Sequence, residues 1–330
     1  MKKPIINLPN APKISSWYSV VGHLEKEGPL GTYFDEYSHD DKFEQKTWEK
    51  SETEMQRRAL KGALAKCGHN NNLDLLLAGD LMNQCTVSSY ATLGTNVPFL
   101  GLYGACSTCA EGLALGACLC DRGVVDSCGV VTSSHYCASE RQFRFPLEYG
   151  GQRTPTSQWT ATGAGAFVLN QNGKVKITDV LFGRVIDKGI SDINNMGAAM
   201  APAVIDTLTR YFENSAHSPD YFDLIITGDL GYEGSDILKE LLLSSGIDIY
   251  KNHRDCGIMI FDKERQDVHA GGSGCGCSAS VLAAAILPAF ERGELKNVLF
   301  LGTGALMSPV SLFQGSSIPA ICHLVHLSSC

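Results

Sequence analysis

Residues 73–81 read Leu-Asp-Leu-Leu-Leu-Ala-Gly-Asp-Leu, and residues 222–230 read Phe-Asp-Leu-Ile-Ile-Thr-Gly-Asp-Leu, an offset of 149 positions. Each stretch is a short apolar run closed by Gly-Asp-Leu. A run of that length, apolar without alternation and bounded by a turn signal, predicts a parallel strand buried on both faces. Each is preceded by a helical pattern. In the first copy Met55, Ala59, Ala63 and Cys67 recur every four residues and Gly68 closes the helix. In the second, Val204, Leu208 and Phe212 recur in the same way before a break over 214–219. The chain thus carries two copies of one plan.

A second pair extends the duplication. Residues 107–120 read STCAEGLALGACLC with Glu111 as the one charge, and residues 278–290 read SASVLAAAILPAF with none. Each leads into an Arg-Gly, at Arg122-Gly123 and Arg292-Gly293. A helix without a polar face must be covered all round. The small residues Ala110, Gly112, Ala114 and Gly116, and Ala279, Ala283, Ala284 and Ala285, permit close approach. Two such helices predict a central helical layer between two sheets, with the amphipathic helices outside: an α/β architecture layered α/β/α/β/α. Further strands are expected at 129–132 and 298–302. The division falls between residues 1–175 and 176–330, two halves sharing one core, with no flexible linker at the boundary.

Composition narrows the function. The chain has 330 residues, 44% hydrophobic and 19% charged, with a net charge of −8. It is long enough to bury about 75% of its unfolded surface without a disulfide or metal staple. An acidic balance argues against a nucleic-acid partner and against electrostatic attachment to anionic lipid. The longest apolar run, 281–290, is ten residues and contains Pro288, too short to span a bilayer. The first ten residues lack the apolar core of a secretory signal. Thirteen cysteines without such a signal read as reduced thiols. Cys109, Cys118 and Cys120 fall on one apolar helix and read as packing residues rather than, with Cys106, a zinc site.

Several residues carry chemistry. Tyr103-Gly104-Ala105-Cys106-Ser107-Thr108 lies between an apolar strand and the first buried helix. A Cys on such a turn has the geometry of a nucleophile, its thiol pKa lowered by the helix N-terminus, or else it packs in a crowded turn. His135, after Thr132-Ser133-Ser134, is placed to face a pocket at the strand ends, whereas His69 and His217 stand in polar turns and are expected to be solvated. The glycine-rich turns at 163–166, 271–276 and 302–304 fit no phosphate loop or dinucleotide fingerprint. They serve either close backbone packing or a nest of N–H groups for an anion. Asp80 and Asp229 close equivalent strands, where they act as acid and base, hold a cation, or cap the following turn.

Together these pieces resemble the thiolase superfamily, in particular β-ketoacyl-acyl-carrier-protein synthase III, through the duplicated halves, the Gly-Ala-Cys-Ser-Thr turn and Thr162-Gly163-Ala164-Gly165-Ala166. Within it, Gly28-Pro29-Leu30-Gly31, residues 78–84 from Ala78 to Gln84, Glu140-Arg141-Gln142-Phe143-Arg144, Glu148-Tyr149-Gly150-Gly151-Gln152 and residues 270–275 resemble the stage V sporulation protein AD family over nearly the whole chain. The resemblance implies a thiolase-like fold of two pseudo-duplicated halves without condensing activity. It implies a non-catalytic protein that binds dipicolinic acid, pyridine-2,6-dicarboxylate, alone or as its calcium chelate, and assists its uptake into the developing spore. It further implies partnership with the other stage V sporulation A-set membrane proteins, a peripheral place at the spore inner membrane, and a homodimer. Against the condensing enzymes, their His falls near Gly228 and their Asn near Cys275, so Cys106 is read as a vestigial nucleophile. The expected ligand contacts are Asp80, Asn83, Cys106, Ser133, Ser134, His135, Asp229, Gly274, Cys275 and Thr303. No resident cofactor is expected, calcium arriving with the ligand or through Asp80 and Asp229. The competing reading is an acyl-condensing enzyme with Cys106 as nucleophile.

Overall fold

A computed structural model describes residues 4–68, 72–143 and 152–330. His69, and Arg144, Glu148, Tyr149, Gly150 and Gly151 of the family motif, lie outside the described residues. Ten strands form the frame. In the first half they are β1 (Lys13–Val21), β2 (Leu75–Gly79), β3 (Phe99–Leu102), β4 (Cys128–Ser134) and β5 (Gly163–Asn170). In the second they are β6 (Val175–Leu181), β7 (Leu224–Thr227), β8 (His253–Asp255), β9 (Asn297–Ala305) and β10 (Ala320–Ser329). Within the first half the order is β3-β2-β4-β5-β1, and within the second it is β8-β7-β9-β10-β6. Both read third, second, fourth, fifth, first. In both, the first three of these spatial neighbours are parallel and the remaining pairings antiparallel.

The repeated Gly-Asp-Leu runs are therefore β2 and β7, the second strand of each set, as their uninterrupted apolar character predicts. One feature differs from the expectation of two separate sheets. β1 and β6 also pair, through Lys13 with Lys176 and Ile14 with Val175, so the two sets form one continuous sheet. The junction is local: Lys13 and Ile14 at the start of β1 pair both with the end of β5 and with the start of β6, which the short connection 171–174 carries on from β5.

Side chains along these strands alternate between two environments, because successive Cβ atoms point to opposite faces. In β2, Leu76 joins the outer helix α1 (Trp48–Cys67) with Met55, Ala59 and Ala63, while Leu77 turns inward. In β7, Ile225 packs outward against α4 (Met196–Asn214) and Ile226 inward. In β9, Leu299 and Leu301 face outward and Val298 and Phe300 inward. The inward set closes around α2 (Thr108–Asp121) and α6 (Cys275–Val281), which makes the five-layered thiolase-like sandwich. Each large side chain so buried contributes about 1.5–3 kcal/mol. After β4 the chain enters α3 (Tyr136–Phe143), which touches the outer helix α1, and after β7 it enters α5 (Gly231–Ser244), whose Leu238 and Leu242 pack beside α4 on the outer face.

The outer helix α1 begins at Thr47, whose hydroxyl accepts from Lys50 N, and ends at Gly68 with φ +68°. The second buried helix is less regular than its uncharged sequence suggests. After α6 the chain makes a π-helical turn over Leu282–Ile286 before an α-helical end at Leu287–Glu291. Pro288 explains this: it offers no N–H to the preceding turn, and widening the helix removes the clash.

Close contact between β5 and α6 depends on glycine. A Cβ at Gly165 would lie 2.5 Å from the Ala279 carbonyl oxygen. Gly165→Ala is therefore expected to lower stability by about 1–3 kcal/mol, as overpacking does. Denaturant unfolding checks this; an unshifted midpoint at unchanged slope would show that α6 is not held against β5 at this point.

Candidate functional site

The turn before α2 is tied by its own hydroxyls. Ser107 Oγ donates to Gly104 O at 2.6 Å, Thr108 Oγ1 donates to Ala105 O at 2.6 Å, and Gly104 N donates back to Thr108 Oγ1 at 3.1 Å. These bonds hold Ala105 at φ +52°, a conformation a residue with a Cβ adopts only under constraint. β9 lies directly against the turn. A Cβ at Gly304 would stand 2.6 Å from Gly104 O, which accounts for the Gly302-Thr303-Gly304 sequence as close packing. The result is that Cys106 projects into the space between the halves.

The charge beneath it is Asp229. Its carboxylate accepts from Thr303 Oγ1 at 2.5 Å, Ser273 Oγ at 2.9 Å and Gly274 N at 2.8 Å. Cys106 Sγ is 3.7 Å from Ser273 Oγ. Burial, then the neighbouring Asp229 carboxylate, pushes the Cys106 thiol well above the ordinary cysteine range. This reverses the expectation that the helix N-terminus lowers it. The desolvation of a thiolate and a negative neighbour outweigh the partial charge of a helix end. Burial likewise raises Asp229 against the pull of its hydrogen bonds.

Cys106 opens onto a cavity of about 410 Å³. Its first-half lining includes Leu81, Asn83, Tyr103, Ser139, Glu140 and Gln158; its second-half lining includes Met196, Met200, Ser273 and Met307. The walls are thus largely apolar with a few polar groups, the composition of a small-molecule site. Among the described lining residues there is no Lys, Arg or His. The hydrogen bonds of the buried histidines lead elsewhere. His135 Nε2 is 2.9 Å from Asp41 O, His253 Nε2 3.0 Å from Thr227 Oγ1, and His326 Nδ1 2.8 Å from Asp179 Oδ2. Burial lowers His253 and His323 to about 4.

The residues anticipated from sequence divide into three groups. Asn83 and Cys106 line the cavity, and Asp229, Gly274 and Thr303 form the hydrogen-bonded cluster behind Cys106. The others sit in buried networks and do not line it. Asp80 accepts from Met82 N, Ser88 N and Ser88 Oγ. Ser133 Oγ donates to Glu52 Oε1 and accepts from Gln56 Nε2. Ser134 Oγ donates to Ala161 O, and the Cys275 thiol to Ser133 O. His135 is corrected from pocket-facing to buried beside Trp48, because β4 turns into α3 before the cavity begins. His217 is not free in solvent but stacks on Tyr221 at 3.7 Å between centroids. The N–H groups offered as an anion nest are also taken: Gly274 N by Asp229 and Gly276 N by Ser134 Oγ. Among the described residues no group of three or more His, Cys, Asp or Glu side chains converges on a metal site.

Sequence reasoning missed Ser139, Gln158 and the methionines of the second-half wall. Glu52 and Gln56 had a readable signal, since both are polar residues on the buried stripe of α1. Gln158 had none: residues 156–160 read Thr-Ser-Gln-Trp-Thr without pattern.

Comparison with known proteins gives a family and a fold. The sequence profile of stage V sporulation protein AD (SpoVAD) matches residues 2–328. Stage V sporulation protein AD of Bacillus subtilis (strain 168) is 42% identical over 312 residues, covering 94% of this chain and 92% of the relative. Among solved structures, 3-oxoacyl-[acyl-carrier-protein] synthase III from Aquifex aeolicus superposes with a TM-score of 0.57 at 14% identity, covering 96% of this chain and 99% of that one. Cerulenin-bound OleA of Xanthomonas campestris gives 0.62 at 13% identity, covering 96% of both chains. These two likenesses establish the fold.

The raised thiol has a kinetic consequence. At pH 7.5 the Cys106 peptide should take up iodoacetamide at least tenfold more slowly than free cysteine, read by mass spectrometric mapping, with the rate climbing only at strongly alkaline pH. Asp229→Asn removes the adjacent charge and should accelerate it. Alkylation of the parent as fast as free cysteine would contradict the assigned environment.

Proposed function

The chain belongs to the stage V sporulation protein AD family, and on that premise we propose that it is a non-catalytic binder of dipicolinic acid that assists uptake of this compound into the developing spore. The observation that carries the reading is the state of Cys106. Its thiol faces a cavity large enough for a single-ring ligand, yet burial and Asp229 oppose the thiolate that acyl transfer requires. No imidazole stands among the described lining residues to take its proton. Such a cavity is suited to holding a ring rather than reacting with one: apolar walls for its faces, a few polar groups for its edges.

Calcium enters this proposal with the ligand. The two carboxylates offered for it by the sequence, Asp80 and Asp229, already accept hydrogen bonds inside the protein. The proposed place at the spore inner membrane is peripheral, since among the described residues no helix is long and apolar enough to cross a membrane. There the chain would work with the other stage V sporulation A-set membrane proteins. The proposed homodimer has a candidate edge in β3, which ends one side of the sheet and leaves Leu100 and Tyr103 about half exposed.

Titration calorimetry with dipicolinate tests the ligand. Saturable binding is expected, weakened several-fold by Cys106→Ala and unchanged by His135→Ala, which lies away from the cavity. Absence of heat at millimolar ligand would overturn the reading. Intact mass after incubation with acyl-CoA thioesters tests the competing reading: the parent should stay unmodified, and a stoichiometric acyl adduct on Cys106 would identify a condensing enzyme instead.

A further inference from the structure

Asn83 reaches the cavity on a turn that the backbone holds against its own preference. After β2 the chain passes Met82, Asn83, Gln84 and Cys85, and Gln84 and Cys85 stand in succession at φ +60° and +51°. Two adjacent residues with a Cβ take that region only when their surroundings fix them. The fixing contacts come from three directions. Asp80 Oδ1 accepts from Met82 N at 2.8 Å, the Cys85 thiol donates to Leu102 O at 3.1 Å, and Gln142 Oε1 on α3 accepts from Asn83 N at 3.0 Å. Gln142 belongs to the 140–144 stretch that carries the family resemblance, yet it does not itself line the cavity. Its amide has one possible orientation. Oε1 faces an N–H, and Nε2 donates to Leu81 O at 3.1 Å. An N–H only donates and a carbonyl only accepts, so turning the amide over would break both bonds.

The second hydrogen of Nε2 is directed at the Tyr103 phenol. Burial raises the Tyr103 hydroxyl above the ordinary tyrosine range, and the hydrogen bond from Gln142 opposes that rise. With its oxygen receiving that N–H, the phenol gives its one hydrogen to Asn83 Oδ1, 3.0 Å away. Asn83 then has its oxygen turned to Tyr103, while its Nδ2 meets no acceptor among the described residues. Asn83 is exposed and part of the cavity lining, so Nδ2 is open to a ligand. We propose that Gln142 is a positioning residue that, through Tyr103, sets Asn83 to donate to a carboxylate oxygen of the bound pyridine dicarboxylate. This rests on the binding reading above and deepens it. The rest of the lining creates the need for such a donor. No Lys, Arg or His stands among its described residues. Ser273 Oγ and Thr160 Oγ1 already donate to Asp229 and Glu140, and Gln158 Nε2 to Asp229 O and Gly272 O. An anion held here must be met by neutral donors that the protein has not used. Donation from Asn83 is compatible with calcium, because a carboxylate offers about four lone-pair sites and a metal on one side leaves others free.

The full chain is titrated with dipicolinate by calorimetry, without calcium and at one neutral pH. Asn83→Asp keeps the shape and the bond from Tyr103 but puts an anionic oxygen where Nδ2 stood. It should weaken binding by about tenfold or more, and Asn83→Ala by about fivefold. Tyr103→Phe removes only the hydroxyl of a half-exposed ring and frees the Asn83 amide to turn, for a loss of about threefold. Gln142→Leu should weaken binding about as much as Asn83→Ala, and the double variant is the decisive comparison. If Gln142 acts through Asn83, adding Gln142→Leu to Asn83→Ala should leave the affinity within about twofold of Asn83→Ala alone. A merely structural Gln142 would lower affinity by the same factor in both backgrounds, and that result overturns the inference. Should Gln142→Leu not fold, Asn83→Asp and Tyr103→Phe still decide: either one binding as tightly as the parent overturns it. These failures leave the binding reading intact. No heat from the parent protein overturns that reading, and the inference with it.

Discussion

Backbone lies on backbone at the centre of this protein, and the rest depends on that contact. Gly165 lets α6 approach β5, and Gly304 lets the Cys106 turn approach β9; in both places a Cβ would stand closer to a carbonyl oxygen than atoms permit. Helices α2 and α6 can then share one thin layer between the two strand sets, with Leu77, Val130 and Phe167 on one side and Ile226, Phe300 and Val325 on the other. Larger residues at these glycines would separate the halves, and the space at their junction would lose its shape.

That contact also decides the chemistry of the thiol. A helix N-terminus beside a cysteine is the arrangement found in many nucleophile sites, and by itself it favours the thiolate. Here the same close approach removes water from the sulfur and brings Asp229 up behind Ser273. Desolvation and a like charge act against the thiolate together, and they are the larger effects. A fold shared with condensing enzymes is thus compatible with a cysteine that stays neutral. The fold supplies the turn, while the groups around it set the proton affinity.

The duplication is exact in strand order but not in use. Asp80 and Asp229 close equivalent strands, β2 and β7, yet Asp80 organises the turn into Ser88, whereas Asp229 reaches across to β9 and to the turn before α6. The cavity follows the same asymmetry, polar toward Gln158, Ser139 and Glu140 of the first half and rich in methionine from the second. Methionine fills irregular space with little strain.

Sequence alone determined the repeat, the buried strands, the two buried helices and the layered architecture. Each of these follows from local apolar periodicity and from the need to cover an apolar surface, information that neighbouring residues carry. It also marked Cys106, Asp229 and the glycine turns, because turn chemistry is local too. It did not determine where His135 or Ser133 point, since each is claimed by a partner distant in the chain: Asp41, and Glu52 with Gln56. Nor did it mark Gln158, whose amide is oriented by carbonyls of residues 229 and 272. The proton on Cys106 and the orientation of Gln158 were decided only by the tertiary structure, because burial and hydrogen-bond satisfaction are properties of the assembled interior and not of any one stretch of chain.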